Sequence, residues 1–425
     1  MTTRESEAVE LPAAEQGSGG RTGPRRHWLT RQRLMAYSGT LLIIYIVLPC
    51  SQFLHENWIH QLSFGNRGRD YVVFWAASHL ALQGHAVDAY NMTALGAAEK
   101  FVVPDLKGTL PWLYPPTFFL LIYPAALLPY ELSAWLFFGL TLAAFILAVN
   151  AIVPGKIPTL LALAFPGTLI TALSGQNGLL TAALMGFGLA LLARRPVRAG
   201  VVLGMLCIKP HLAVLIPLAL LCSRSWKALA ATAATAATMS VLAVWFFGTD
   251  TIVAFVHGIG VVEGFVNTGS KLLPRIPTFY SMAKLSQMPA VAAYALQAFS
   301  ACAAMASVVY VWSRPSAHEL RAATLVCATL AFSLYLYDYD LTWYGLVVAW
   351  YGRYGLVHGF RHYEREGLIV LWLGPMMSLL VVPHVHFQFL PFITLGALAM
   401  VVTRVRNERR SVNARGGMGV DQPFL

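Results

Sequence analysis

Residues 132–153, LSAWLFFGLTLAAFILAVNAIV, contain no charged side chain and begin a stretch without acidic residues that continues to position 249. An apolar run of about 20 residues is long enough to cross the hydrocarbon core of a bilayer as an α-helix. Similar runs recur along the chain, the first at 34–54, and they are continuous rather than alternating between apolar and polar residues. The pattern therefore predicts an all-α, polytopic helical membrane protein.

The composition agrees with this class. The chain has 425 residues, of which 57% are hydrophobic and only 12% are charged, whereas soluble domains carry about 25% charged residues. The five cysteines lie in apolar segments without metal-ligand spacing, so we expect neither a disulfide framework nor a zinc site. No glycine-rich nucleotide loop is visible, and we expect no cofactor and no metal.

The net charge of +11 is concentrated in short breaks between apolar runs and at the chain ends. This is the distribution of a membrane protein whose positive loops face the cytoplasm, so nucleic acid is not an expected partner. The internal basic breaks and the basic tail lie at 194–198, 224–227, 314–321, 353–365 and 404–410.

Three parts are predicted along the chain: a disordered cytoplasmic arm (1–30), a multi-spanning domain (31–403) and a basic cytoplasmic tail (404–425). Two long loops, 55–113 and 248–289, are placed outside, and residues 72–83 are expected to form a short helix at the membrane interface. Membrane crossings counted from the two ends of the chain place Ser174 on opposite sides of the membrane. We therefore expect that one stretch between 115 and 173 is not a full crossing. Pro166 and Gly167 form a candidate break.

Asp70 lies in the first outer loop, near the membrane surface. A carboxylate in this position can accept the proton of an acceptor hydroxyl and act as a general base. The alternative is an ion pair with Arg67 or Arg69 in a solvated loop, which would contribute little to stability.

Two polar breaks interrupt the apolar region. Gln176 and Asn177, in SGQNG (174–178), either line a water-filled cavity or form a turn. Lys209, in KPH (209–211), is costly within a membrane unless it has a partner or an anionic ligand, and its compact ammonium suits a phosphate. His211 by itself is a common residue at a helix end.

Acidic and basic side chains also mark two later segments. In YLYDYD (335–340), Asp338 and Asp340 lie among tyrosines, which is typical of a sugar-binding surface or of an aromatic belt with solvated acids. In the second outer loop, Lys271 and Arg275 form a basic patch, which is contrary to the usual excess of positive charge on the cytoplasmic side. The patch either binds an anionic lipid head group or is a solvated loop.

Five stretches together resemble glycosyltransferase family 87 of the GT-C superfamily: RDYVVFWAA (69–77), LYPPT (113–117), SGQNG (174–178), AGVVLG with the following Lys209-Pro210, and YDL (339–341). The resemblance implies a GT-C-like bundle with long outer loops in a bacterial cytoplasmic membrane and an active site on the outer side. It implies a polyprenyl-phosphate-sugar donor, with mannose best known, and an acidic base in the first outer loop. Asp70 matches that position.

The resemblance implies the partners, and the chemistry of the polar residues indicates which side chains take part. We expect membrane lipids, the lipid-linked donor and a glycan or glycolipid acceptor as partners, with direct displacement inverting the anomeric carbon. A transporter or flippase of a lipid-linked glycan is the alternative, because it would share the polar breaks within the membrane. Besides Asp70, the expected site residues are Lys209, Lys271 and Arg275 for the donor phosphate, and Gln176, Asn177, His211, Asp338 and Asp340 for the sugar or acceptor.

Overall fold

The computed structural model describes residues 28–58, 70–106, 108–267 and 272–417. The described residues form helices joined by short turns and contain no strand, so the all-α prediction is confirmed. The α-helices are α1 (Arg31–Trp58), α2 (Tyr71–Leu82), α3 (Met92–Val102), α4 (Pro116–Ile122), α5 (Tyr130–Ile152), α6 (Lys156–Leu163), α7 (Pro166–Ser174), α8 (Gly178–Leu192), α9 (Pro196–Gly204), α10 (Leu215–Cys222), α11 (Trp226–Phe247), α12 (Asp250–Asn267), α13 (Phe279–Leu285), α14 (Ala290–Trp312), α15 (His318–Phe332), α16 (Trp343–His358), α17 (Glu364–Leu380), α18 (Val382–Val385) and α19 (Leu390–Gly417).

Short 3₁₀ helices connect several of these elements and carry much of the polar sequence. They comprise Ala86–Tyr90, Ala125–Leu127, Met205–Ile208, Pro210–Leu212, Leu273–Arg275 and Asp338–Thr342.

Three helices in the described part of the chain, α5, α11 and α14, are long and apolar enough to cross a membrane. Helices α6 and α7 are bent by 44° relative to each other and would make a fourth span if they form one crossing. The bend lies beside Pro166, where a break was expected. The stretch from α4 to Leu127 is also short for a crossing, and the number of crossings between 115 and 173 stays a prediction.

The core is centred on α8, α15 and α16, whose side chains are mostly buried. Helix α9 lies directly against α11. The helices are so close that a Cβ atom on Gly200 would clash with the carbonyl oxygen of Ala228, and one on Gly204 with that of Thr232. Two glycines four residues apart allow this close approach, as in other packed membrane helices. The contact holds α9 in place immediately before the turn that carries Lys209.

Helix α2 confirms the predicted short helix at 72–83 but not its place at the membrane interface. Val72, Phe74 and Ala76 are fully buried, and the helix packs against α3 and the 3₁₀ turn Ala125–Leu127. A helix that is apolar on all sides gains most by burial within the protein, whereas an interfacial helix needs a polar face.

The predicted cytoplasmic ends are described only in part. Residues 1–27 of the predicted arm and 418–425 of the tail lie outside the described residues. Helix α19 does not stop at 403 but continues to Gly417. Buried Arg404 lies within it, 3.0 Å from Glu364 Oε2 and 2.6 Å from Glu408 Oε1.

Candidate active site

Five breaks between helices meet in one hydrogen-bonded cluster. They are the start of α2, the α7–α8 turn, the turn between Met205–Ile208 and Pro210–Leu212, and the 3₁₀ turns Leu273–Arg275 and Asp338–Thr342. Most of the site residues predicted from the sequence lie in these breaks, so the fold brings together segments that are far apart in the chain.

Asp70 immediately precedes α2, and its carboxylate makes no capping hydrogen bond to that helix. Gln176 Nε2 donates to Asp70 Oδ2 at 3.4 Å, and Arg275 Nη1 lies 4.0 Å from the same oxygen. The Asp70 side chain remains 24% exposed. The carboxylate is therefore held between an amide and a cation, yet it remains accessible to a substrate.

Arg275 is fixed by Asp338. Its Nε and Nη2 atoms donate to the two carboxylate oxygens at 2.9 and 3.1 Å, and Nη2 also donates to Ser174 Oγ at 3.1 Å. Gln388 Nε2 donates to the carbonyl of Pro274 at 3.0 Å and anchors the turn from behind. This bidentate pairing fixes the plane of the guanidinium while its side chain stays 35% exposed.

Lys209 forms a second, buried pair. Its ammonium lies 2.5 Å from Asp340 Oδ1, 3.3 Å from Asn177 Oδ1 and 4.6 Å from the centre of the Tyr339 ring. Asp340 is fully buried and also accepts the backbone N–H of Tyr337 at 3.2 Å. The cost of burying Lys209 is thus offset by a carboxylate and an amide of this chain.

Gln176 connects the site to a tyrosine that the sequence analysis did not include among the site residues. Tyr114 Oη donates to Gln176 Oε1 at 2.8 Å, while the other end of the amide faces Asp70. The signal was present in LYPPT, but proline at a helix start explains that motif without any function.

The remaining predicted residues differ in their settings. His211 Nε2 is buried and has no hydrogen-bond partner in the described part of the chain, and its ring meets Tyr335 edge-on at 6.4 Å. Asn177 Nδ2 is likewise buried and unpaired there. Lys271 lies outside the described residues. Among the described residues, no group of three or more His, Cys, Asp or Glu side chains is arranged to hold a metal ion.

The electrostatics of Asp70 are balanced between opposing effects. Burial raises the pKa of Asp70, and the nearby Asp338 carboxylate adds to the rise, while Arg275 and the Gln176 hydrogen bond lower it. The net pKa is raised, which brings the carboxylate closer to the range in which a general base works. The Arg275 guanidinium has a raised pKa because its carboxylate partners outweigh desolvation, so it stays charged.

Comparison with models of known protein families shows which family the chain belongs to. The model of glycosyltransferase family 87 matches residues 112–336, just over half of the 425 residues. The chain belongs to glycosyltransferase family 87. It is therefore a glycosyltransferase with apolar helices of membrane-spanning length, and its predicted GT-C placement fits this family. No match was found among curated proteins or among solved structures.

The matched segment of this family 87 glycosyltransferase includes Gln176, Asn177, Lys209, His211 and Arg275. The three acids of the cluster lie outside it: Asp70 precedes it, and Asp338 and Asp340 follow it. The cluster is thus completed by residues on both sides of the matched segment.

Proposed function

We propose that this glycosyltransferase moves a sugar, mannose or a similar hexose, from a polyprenyl-phosphate donor to an acceptor hydroxyl at the outer face of the membrane. Asp70 acts as the general base, and the anomeric configuration is inverted. The observation that carries this proposal is the partly exposed Asp70 carboxylate beside the guanidinium of Arg275, with 4.0 Å between them.

The pair suits the two charges that change during transfer. The acceptor hydroxyl gives its proton to Asp70, and its oxygen forms a bond to the anomeric carbon as the bond from that carbon to the phosphate oxygen breaks. The electron pair of the broken bond leaves with the polyprenyl phosphate. A cation fixed near this oxygen stabilises the charge that develops there.

Arg275 is the better candidate for that cation among the described residues. Its guanidinium is held rigidly by Asp338 and is partly exposed, so it can meet a phosphate without rearranging. Lys209 was predicted to take this role, but its ammonium is already paired with Asp340 and only 4% of the residue is exposed. We therefore assign Lys209 the task of holding the Asp338–Thr342 turn, and Arg275 the phosphate contact.

Three polar side chains remain for the sugar. Asn177 Nδ2 and His211 Nε2 are buried and lack a partner among the described residues, and Gln176 lies beside Asp70. Unpaired buried polar atoms are uncommon in folded proteins, and a hydroxyl-rich ligand would satisfy them. Asp338 and Asp340 are occupied by cations, so they support the site rather than contact the sugar.

A lipid-linked donor is supported by an apolar cavity next to the cluster. The cavity has a volume of about 510 Å³ and lies between α4, α10, α11 and the end of α9. Thr117, Cys207 and Pro210 form part of its wall, and Pro210 directly follows Lys209. A cavity with an apolar lining suits a prenyl chain and would disfavour a nucleotide sugar.

The outer location of the site rests on the positive charge of the short loops. Cysteines introduced at Asp105 and at Arg361, both exposed, should react oppositely with an impermeant maleimide added to intact cells, Asp105→Cys being labelled and Arg361→Cys protected. The reverse labelling would place Asp70 on the cytoplasmic side.

Transfer itself is tested with purified protein, radiolabelled polyprenyl-phosphate mannose and a lipid extract as acceptor. Asp70→Asn should lower transfer by roughly 10²–10⁴-fold, as expected for loss of a general base. Asp105→Asn removes an exposed carboxylate from the same loop and should retain activity. An active Asp70→Asn enzyme would refute the assignment of the base. Movement of the labelled lipid across the membrane without its consumption would favour a flippase.

A further inference from the structure

Tyr114 is buried, and the hydrogen bond that its hydroxyl donates in the described part of the chain goes to Gln176 rather than to Asp70 or Arg275. We propose that Tyr114 is a positioning residue, whose hydroxyl holds the Gln176 amide in the orientation that donates to Asp70. This inference rests on the proposed role of Asp70 as the base.

The two ends of the Gln176 amide have different partners. Tyr114 Oη donates to Oε1 at 2.8 Å, and Nε2 faces Asp70 Oδ2 at 3.4 Å. A primary amide has one accepting end and one donating end. The opposite orientation would place the amide oxygen against the carboxylate, so two acceptors would face each other. The carboxylate therefore selects the donating end of the amide, and the tyrosine, by donating to Oε1, keeps that amide from turning away from the base.

The position of Tyr114 is itself tightly held. Its ring packs against Phe74 and Phe118 with centroid distances of 5.3 and 4.5 Å, and Tyr90 Oη donates to its backbone carbonyl at 2.8 Å. Phe74 lies in the first turns of α2, the helix that begins directly after Asp70. The hydroxyl and the carboxylate are therefore fixed relative to each other through one short buried helix.

A hydrogen bond donated to a carboxylate stabilises its ionised form and lowers its pKa. Loss of the Tyr114 hydroxyl should free Gln176 to turn away, which raises the pH at which Asp70 loses its proton. Within the described part of the chain, Arg275 and Asp338 also act on Asp70, and Tyr337 and Tyr339 interact with it. Tyr114→Phe leaves all four side chains in place, but it also removes the hydroxyl's own interactions with Asp70 and Tyr339. Gln176→Leu keeps that hydroxyl and isolates the amide contact.

The protonation of Asp70 can be followed without turnover. Dicyclohexylcarbodiimide modifies protonated carboxyl groups, and mass spectrometry of the peptide containing Asp70 gives the extent of modification at each pH. In the full-length Tyr114→Phe protein, the midpoint of modification should move to higher pH by about half a unit, an effect of the size expected for one weak charged hydrogen bond. The acidic limb of kcat/KM for transfer should move in the same direction.

Two variants separate positioning from loosening of the structure. Tyr90→Phe removes the hydroxyl that holds the Tyr114 backbone but leaves the contact to Gln176, so its midpoint should stay at the wild-type value. Gln176→Leu should move the midpoint as Tyr114→Phe does, and the double variant should move it no further, because both changes remove one chain of contacts.

An unchanged midpoint in Tyr114→Phe would overturn the inference, as would equal shifts in Tyr114→Phe and Tyr90→Phe. These outcomes leave the role of Asp70 intact if Asp70→Asn still abolishes transfer. If Asp70→Asn retains transfer, the base has been assigned wrongly, and the proposal for Tyr114 fails with it.

Discussion

Lys209 Nζ lies 2.5 Å from Asp340 Oδ1, although 131 residues separate the two in sequence. The pair is buried and joins the turn after α9 to the turn before α16. Two of the chain breaks that build the site are therefore connected by charge within the protein, before any substrate binds.

Removal of one partner of this pair should be costly. Lys209→Met leaves Asp340 buried without its counter-ion, and we expect a loss of about 3–5 kcal/mol of unfolding free energy. The double variant Lys209→Met/Asp340→Leu should recover much of that loss, because it buries no unpaired charge. Thermal unfolding in detergent measures the stability of the single and the double variant. A stable Lys209→Met protein with weakened donor binding would instead favour the phosphate role first predicted for Lys209.

Arg275 should govern use of the donor. Arg275→Gln removes the charge that faces Asp70 and should lower kcat/KM by about 10²-fold, the usual effect of losing one transition-state donor. Arg275→Lys keeps the charge but loses the bidentate contact to Asp338, so it should restore activity only in part. Arg353→Lys, at an ion pair with Glu319 outside the cluster, is the control, and equal effects of the two lysine variants would contradict a specific role.

Gly178 allows α8 to begin directly against the Asp338–Thr342 turn. A Cβ atom at this position would clash with the carbonyl oxygen of Tyr339 and lie 2.9 Å from Thr171 Oγ1. Gly178→Ala should therefore cost about 1–3 kcal/mol of unfolding free energy and lower transfer, because the turn carries Asp338 and Asp340. Gly139→Ala, where a Cβ atom meets nothing within 4 Å, should leave both unchanged or raise the stability slightly.

Glu99 makes stability depend on pH. The residue is fully buried on α3, and both its oxygens accept the backbone N–H of Leu110, at 3.3 and 3.1 Å. Burial raises the pKa of Glu99 from 4.5 to about 7. The unfolded chain loses this proton at lower pH than the folded protein does, so the contribution of Glu99 to the free energy of unfolding is greatest below pH 4.5 and falls as the pH rises to about 7.

The loss should amount to about 3 kcal/mol and level off above pH 7. Glu99→Gln cannot ionise but can still accept from Leu110, so the fall in unfolding free energy between pH 4.5 and about 7 should disappear. Glu131→Gln changes an exposed residue and should retain that fall. Unfolding midpoints measured from pH 5 to 8 provide the comparison. An unaltered slope in Glu99→Gln would exclude this carboxyl as its source.

Much of the architecture follows from local patterns in the chain. The helices, the short α2, the break beside Pro166 and the polar interruptions at Gln176, Lys209 and Asp340 were all predicted. Hydrophobicity over one helix length and the backbone preferences of proline and glycine act between near neighbours, so a single sequence reveals them. The amino acids alone also led to the family, because its motifs are short and occur in order.

The pairing of these polar residues was decided by the tertiary structure. The sequence offered Arg275 and Lys209 as equivalent cations, but the fold pairs Arg275 with Asp338 near the surface and buries Lys209 against Asp340. It also places Tyr114 behind Gln176, a contact across 62 residues. Such contacts depend on how helices pack and on the direction in which each turn leaves its helix. Neither property is encoded in the spacing of residues along one segment, so charge partners, burial and hydrogen-bond direction appear only when the helices are assembled.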